Sequence, residues 1–419
     1  MQKLGIKISL FLNYFVFAFL LNSVGTVILQ VQRTYDVTKS SASVLEGFKD
    51  FPIAIASFIL ASFLPKIGLK KSMLIGLGLV AIFCFIAPFM GEFWYFKLLF
   101  AVIGVSFALI KVSVFATIGL ITEGKKEHAS FMSVIEAIFM AGILIGNIVF
   151  SLFIDDNNPK SESWLQMYYF MGAISVVAFL VLLFSKLDES KAAIEQRSLS
   201  EDFIEMIKAI VKPLTIVFIV SIFLYVLIEQ SFQTWFPTFY DNILNTPASM
   251  AIQAGAVLAG ATMIGRFLAG YVLRRIKWIY LLSLCLGVLA IIILIVLPLA
   301  KSTSIGEEIS WTNAPLVVYL MPLMGLFLAP IYPTLNSTIL SSLPKHMHSS
   351  MSGLIVVFSA LGGTTGSIIT GHVFEAYDGT VAFYFALIPI SAIFIAIWIF
   401  YKMIQKSTTP EVASTQPAE

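Results

Sequence analysis

Residues Lys186 to Lys212 read KLDESKAAIEQRSLSEDFIEMIKAIVK, the longest internal polar stretch in a chain of 419 residues. What surrounds it decides the fold. A spanning helix needs roughly 20 mostly apolar residues, and six such runs precede the stretch: Ile6–Val31, Ser43–Leu64, Ser72–Met90, Phe93–Ile121, Ala129–Ile154 and Trp164–Ser185. Six more follow it: Pro213–Tyr240, Met250–Leu273, Trp278–Leu299, Ala314–Ser341, Ser350–Phe374 and Val381–Met403. The expectation is an all-α membrane protein of twelve transmembrane helices in two six-helix bundles. Residues 1–185 form the first bundle, 186–212 a cytoplasmic linker, 213–406 the second bundle and 407–419 a polar, disordered tail. Within the linker, Ser198 with Glu201 makes a capping box, and Phe203, Ile204, Ile207, Ile210 and Val211 recur at helical spacing, which predicts an amphipathic helix on the inner membrane surface.

Composition agrees. Apolar residues make up 58% of the chain and charged residues 12%, and mean hydropathy is +0.93, which excludes an ordinary soluble globule. With the N-terminus inside, 18 of the 26 Lys and Arg fall in cytoplasmic segments, and only Arg33, Lys39, Lys160 and Lys301 fall outside. The asymmetry follows the positive-inside rule and predicts that both termini are cytoplasmic. The first run lacks a small-residue cleavage site and reads as a retained helix. Cys84 and Cys285 both lie in membrane runs, which argues against a disulfide framework. Trp94, Trp164, Trp278 and Trp311 sit at helix ends and read as interfacial anchors.

Intramembrane charge costs about 2.5 to 3.5 kcal/mol per residue on insertion scales, so it usually lines a polar pathway. Four clusters stand out. Glu46, Lys49 and Asp50 share one face of the second helix; a self-compensated ion pair or outer gate explains them as well as proton coupling by Glu46 or Asp50. Lys111 and Glu136 come to within roughly 6 Å in depth once their hairpin folds, close enough for a buried pair in which substrate or proton competes for one partner. Glu229 has no helical cation in its segment and can exchange a proton at physiological pH. Gln230 and Gln233 beside it can hold hydroxyls, and Trp235 can stack on a ligand. Arg266 reads as an inner-gate contact and Lys49 as a gating residue. Asn22 is the most central polar group of the first helix, serving either helix packing or ligand binding.

Enzyme chemistry finds no support. His128, His346, His348 and His372 lack metal-ligand spacing, no phosphate-cradling Gly-Lys-Ser/Thr loop occurs, and no cofactor is expected. No basic stripe suggests nucleic acid.

The two-by-six layout with a central linker resembles the major facilitator superfamily. Pro65-Lys66-Ile67-Gly68-Leu69-Lys70-Lys71 is similar to that superfamily's glycine and basic signature loop, with Pro65 at its acidic position. Gly265-Arg266-Phe267-Leu268-Ala269-Gly270 is similar to the matching stretch of fucose permeases, and Glu229 followed by Trp235 resembles the seventh helix of the sugar-symporter branch. A departure is Lys111, where fucose permeases carry a carboxylate on the fourth helix. The resemblance implies a monomeric secondary transporter in a cell membrane of the bacterial inner-membrane type, rocking two bundles around a central site. The expected function is proton-coupled symport of a small polar, sugar-like solute. Substrate binding falls to Asn22, Lys111, Glu136, Glu229, Gln230, Gln233 and Trp235. Proton coupling falls to Glu46, Asp50, Glu136 and Glu229, and gating to Lys49 and Arg266. Export of drugs or metabolites, organic-anion uptake through Lys111, and a transporter-derived nutrient sensor are the alternatives.

Overall fold

The protein is described by a computed structural model covering residues 2–122, 124–189, 212–302, 309–342 and 348–408. The amphipathic helix expected within 186–212 and the tail beyond Thr408 lie outside the described residues. Among the described residues eleven helices are long and apolar enough to cross a membrane, and Lys39–Ile67, whose first half carries Glu46, Lys49 and Asp50, completes a twelve-helix, two-bundle architecture. Because each half holds an even number of spans, Gln2, Ser185, Pro213 and Thr408 share one end of the molecule, called here the linker end.

Several spans depart from the simple runs. The first is two helices, Gln2–Asn22 and Val24–Tyr35, joined at Ser23, whose hydroxyl donates to the Leu20 carbonyl at 2.8 Å. The backbone hydrogen bonds run through this junction, from the Ser23 N–H to the Phe19 carbonyl at 3.1 Å and from the Val27 N–H to the Ser23 carbonyl at 2.9 Å, so the two helices form one continuous span. The fifth span starts at Gly124, a turn earlier than the hydropathy pattern predicts, and runs to Ser151. The tenth is assembled from Leu316–Leu320, a 3₁₀ turn at Met321–Leu323 containing Pro322, Met324–Leu328 and Ile331–Ser342. Pro322 and Pro330 each withhold a backbone donor there. The remaining spans are Leu69–Ile86, Phe93–Ile121, Gln166–Phe184, Pro213–Asn242, Ala248–Val272, Trp278–Ser302, His348–Ala376, and Gly379–Tyr384 followed by Leu387–Thr408.

At the linker end, Gly68 sits at φ 91°, a conformation that suits glycine. It opens the third span at Leu69. The carboxylate of Glu189 accepts from the backbone N–H groups of Leu69 (2.8 Å) and Lys70 (3.0 Å), and Lys70 Nζ donates to the carbonyls of Leu183 (2.9 Å) and Ser185 (2.7 Å). An anion at a helix N-terminus satisfies orphan donors and opposes the helix dipole. The signature-like loop, with Pro65 in place of its acid, thus receives a carboxylate from the start of the linker.

Trp164 corrects the anchor assignment. It is 1% exposed, its ring lies 5.1 Å from that of Phe96, and its indole N–H donates to Thr34 Oγ1 at 3.1 Å. An indole whose N–H has a buried partner has no need of the headgroup layer. Trp94 remains 52% exposed at its helix end.

Candidate functional site

The two halves meet tightly away from the linker end. Thr234 Oγ1 of the seventh span donates to Glu46 Oε2 of the second at 3.0 Å. Ser367 Oγ donates to the Ser43 carbonyl at 3.3 Å, Glu375 Oε2 accepts from the Ser40 N–H at 2.6 Å, and Asp156 accepts from the Ser249 N–H at 3.0 Å. Arg33 and Asp241 add an ion pair at 3.8 Å. Backbones also come close: a Cβ on Gly25 would stand 2.6 Å from the Thr234 carbonyl oxygen. These contacts between the halves all lie at this end, whereas Arg266 Nη1 on Met140 Sδ at 3.2 Å joins them nearer the linker end.

Beneath this seal lies a cavity of about 640 Å³, within the usual range for a small-molecule site. Both halves line it. Asn22, Lys49, Lys111, Glu136 and Asn147 come from the first; Glu229, Gln230, Gln233, Arg266 and Asn336 come from the second. Glu136 and Pro333 on its wall are exposed, and because the halves are closed together away from the linker end, the cavity is open toward the linker end.

Lys49 makes its floor. Its ammonium bonds the Glu46 carboxylate one turn back and stands 3.6 Å from Asp50 Oδ1. Glu46 and Asp50 themselves are buried and do not line the cavity. The shared helical face anticipated from their spacing is therefore a compact triad that fills the closed end, with Glu46 also bonded across the interface.

Lys111 and Glu136 both face the cavity, but no ion pair within 4 Å joins them, which corrects the expectation of a buried pair. Instead Lys111 Nζ lies 5.8 Å from the centroid of the Phe107 ring, a cation–π distance. Arg266, expected at an inner gate, lines the cavity too; its Nε is buried with no hydrogen-bond partner. Glu229 Oε1 accepts from Gln233 Nε2 at 3.3 Å. Asn22 has its amide N–H on the Ala18 carbonyl at 2.8 Å, which leaves its oxygen for a ligand. Two acids and two bases without direct ion-pair partners thus face one wet space, an arrangement sustainable only where water or solute solvates them.

Trp235 is placed elsewhere. It is fully buried and absent from the cavity wall, donating its N–H to the Ser367 carbonyl (3.0 Å) and Oγ (3.2 Å). The seventh helix turns this ring onto the eleventh span, away from Glu229 and Gln233. Asn147 was missed by sequence reasoning, although an amide within an apolar run is the same kind of signal that marks Asn22. Asn336, whose Oδ1 is buried and without a partner, lines the cavity from the last helical segment of the tenth span.

Solved structures of similar fold include a nucleoside transporter, NupG, with TM-score 0.75 and 15% identity over 96% of this chain and 100% of that one. A D-xylose-proton symporter gives TM-score 0.72 and 13% identity over 96% and 98%. A POT family transporter in complex with a thioalcohol-conjugated peptide gives 0.73 and 13% over 96% of both chains. At these identities the likeness shows the fold alone. No curated protein sequence matches the chain significantly. The family profile described as Major Facilitator Superfamily matches residues 10–367, and with that match across most of its length, a two-bundle fold and a cavity between the halves, the chain belongs to this superfamily of membrane transporters.

Proposed function

We propose that the chain is a proton-coupled symporter of a small polar, sugar-like organic solute, a monomer working by alternating access in a cell membrane. The observation that carries this reading is the cavity itself. It lies between the halves, presents Glu136 and Glu229, and is closed by the contacts between the halves at the end away from the linker. The distribution of basic residues supports a cytoplasmic linker end, and on that reading the state described is inward-open.

In this mechanism Asn22, Asn147, Gln230, Gln233 and Asn336 hold the polar groups of the solute through directional hydrogen bonds. Glu229 carries the proton. Loading and unloading at Glu229 is felt by the adjacent Lys49 triad, and Thr234, only five residues further along the same helix, ties that triad to the opposite half through Glu46. Solute and proton together therefore bias the equilibrium between sealed and open outer ends.

The test is Glu229→Gln in proteoliposomes. Counterflow exchange of solute should persist, because it needs no net proton movement, while accumulation driven by a pH gradient should disappear. Equal loss of both would make Glu229 a binding or folding residue and remove it from proton coupling.

A further inference from the structure

Near its opening the cavity presents two cations, Lys111 and Arg266, beside one carboxylate, Glu136, while its second carboxylate, Glu229, lies deeper. The fifth and eighth spans run antiparallel along the interface, with Gly255 facing Asn147 and Gly260 facing Leu144, and then Arg266 reaching Met140 at 3.2 Å. Continuing that register puts Arg266 level with Glu136 to within about one helical turn, roughly 5 Å. Lys111 and Glu136 lie at nearly equal distances from the break after Thr122 that joins their helices, so Lys111 belongs to the same layer, and Glu136 is the carboxylate whose field acts on it. Two cations therefore share one carboxylate at this depth. Glu229 lies roughly 8 Å nearer the sealed end by the same count. It is faced by Arg266, Tyr225, Gln233 and Lys49, and no ion pair within 4 Å joins it to either cation. When Glu229 carries its proton, the excess cation has no counter-charge at all.

We infer that the solute bears an acidic group. Its anionic end is held between Lys111 of one half and Arg266 of the other, and its hydroxylated body extends toward Gln230 and Gln233. The solute class is a sugar acid or hydroxy acid. This rests on the symport reading above and narrows it. Three features of the cavity support it independently of one another. Lys111 has no ion pair within 4 Å among the described residues, and its Nζ lies 5.8 Å from the centroid of the Phe107 ring. Arg266 keeps a buried Nε without a partner beside a soft methionine sulfur. The two cations come from opposite halves, so an anion bridging them is held by both bundles at once. A guanidinium and an ammonium converging on one oxyanion is the charge-assisted recognition that planar carboxylates favour. One proton on Glu229 moving with one anion would leave the charge of the cavity unchanged between loaded and empty states.

The experiment compares each acid with its own neutral amide, which preserves shape and removes charge: glucuronate with glucuronamide, and lactate with lactamide. The protein is reconstituted in liposomes with an internal pH dye, and binding is ranked by competition. At least one acid should outcompete its amide by about tenfold or more and should move protons inward. Lys111→Gln should bring that acid-to-amide ratio toward one, and Lys111→Arg should retain it. Should Lys111→Gln fail to fold, the wild-type ratio and Arg266→Lys decide. Acid and amide competing equally in both pairs, or proton movement driven by glucose or xylose and by neither acid, overturns the acidic-group inference while leaving proton-coupled transport standing. Proton movement by none of these solutes, with counterflow absent as well, overturns both.

Discussion

Replacing Gly25 with Ala should prise open the sealed end. The added methyl would lie 2.6 Å from the backbone carbonyl oxygen of Thr234, about 0.8 Å inside the 3.4 Å at which ordinary contact begins. The obstacle is backbone on the opposite half, so no rotamer change relieves it. Overpacking of this kind costs about 1–3 kcal/mol, and here the cost falls only on the state in which the halves touch. The equilibrium should then shift toward the state open at the end away from the linker by about 5- to 150-fold. The assay is labelling of Gln233→Cys, a cavity position, by a membrane-impermeant thiol reagent applied from the side away from the linker end. Background is low because Cys84 and Cys285 are both buried. Gly325→Ala is the matched control: its Cβ would also stand 2.6 Å from a backbone oxygen, that of Leu258, but within one half. It should lower stability without raising the labelling rate. An unchanged rate in folded Gly25→Ala, or the same increase in both variants, would refute the claim that the Gly25–Thr234 contact is part of the seal.

Other outcomes follow from individual contacts. Trp235→Phe should lower thermal stability by about 1–3 kcal/mol, because the Ser367 carbonyl loses a buried donor, yet leave the solute KM unchanged; a large KM change would return the ring to the binding site. Lys49→Met strands two buried carboxylates and should cost about 3–5 kcal/mol, read as loss of the folded protein in detergent. Neutralising Glu46 and Asp50 in the same chain should recover folding but not transport, and recovery of transport would free the triad of any coupling role. Glu189→Ala removes the acceptor for the Leu69 and Lys70 N–H groups and should cost about 0.5–2 kcal/mol, measurable as a lower melting temperature; no change in melting would mean water replaces the carboxylate at that helix end.

Much of the architecture was legible because it follows from the solvent. A bilayer interior requires every backbone polar group to be satisfied within its own helix, so each run near 20 apolar residues had to become a span, and the polar stretch from Lys186 had to divide six from six. Charge in such runs is costly enough that Lys111, Glu136, Glu229 and Arg266 were marked as pathway residues by their presence alone, and all four line the cavity. The failures share a cause. Trp164 at a helix end and Trp235 near Glu229 are aromatic residues that suit an interface, a core or a ligand equally well in sequence; which one they meet depends on the direction in which the helix faces its neighbours.

Sequence by itself determined which residues cross the membrane, where charge is buried, and that Glu46, Lys49 and Asp50 share a face, because hydropathy and helical spacing act along one strand of chain. Tertiary structure decided which charges find partners. Lys49 is neutralised within its own helix, where spacing fixes the geometry, whereas Lys111, Glu136, Glu229 and Arg266 sit on four different helices. Their distances depend on how two bundles tilt and on which end the halves press together, and those are set by contacts such as Gly25 on Thr234 that no single segment encodes.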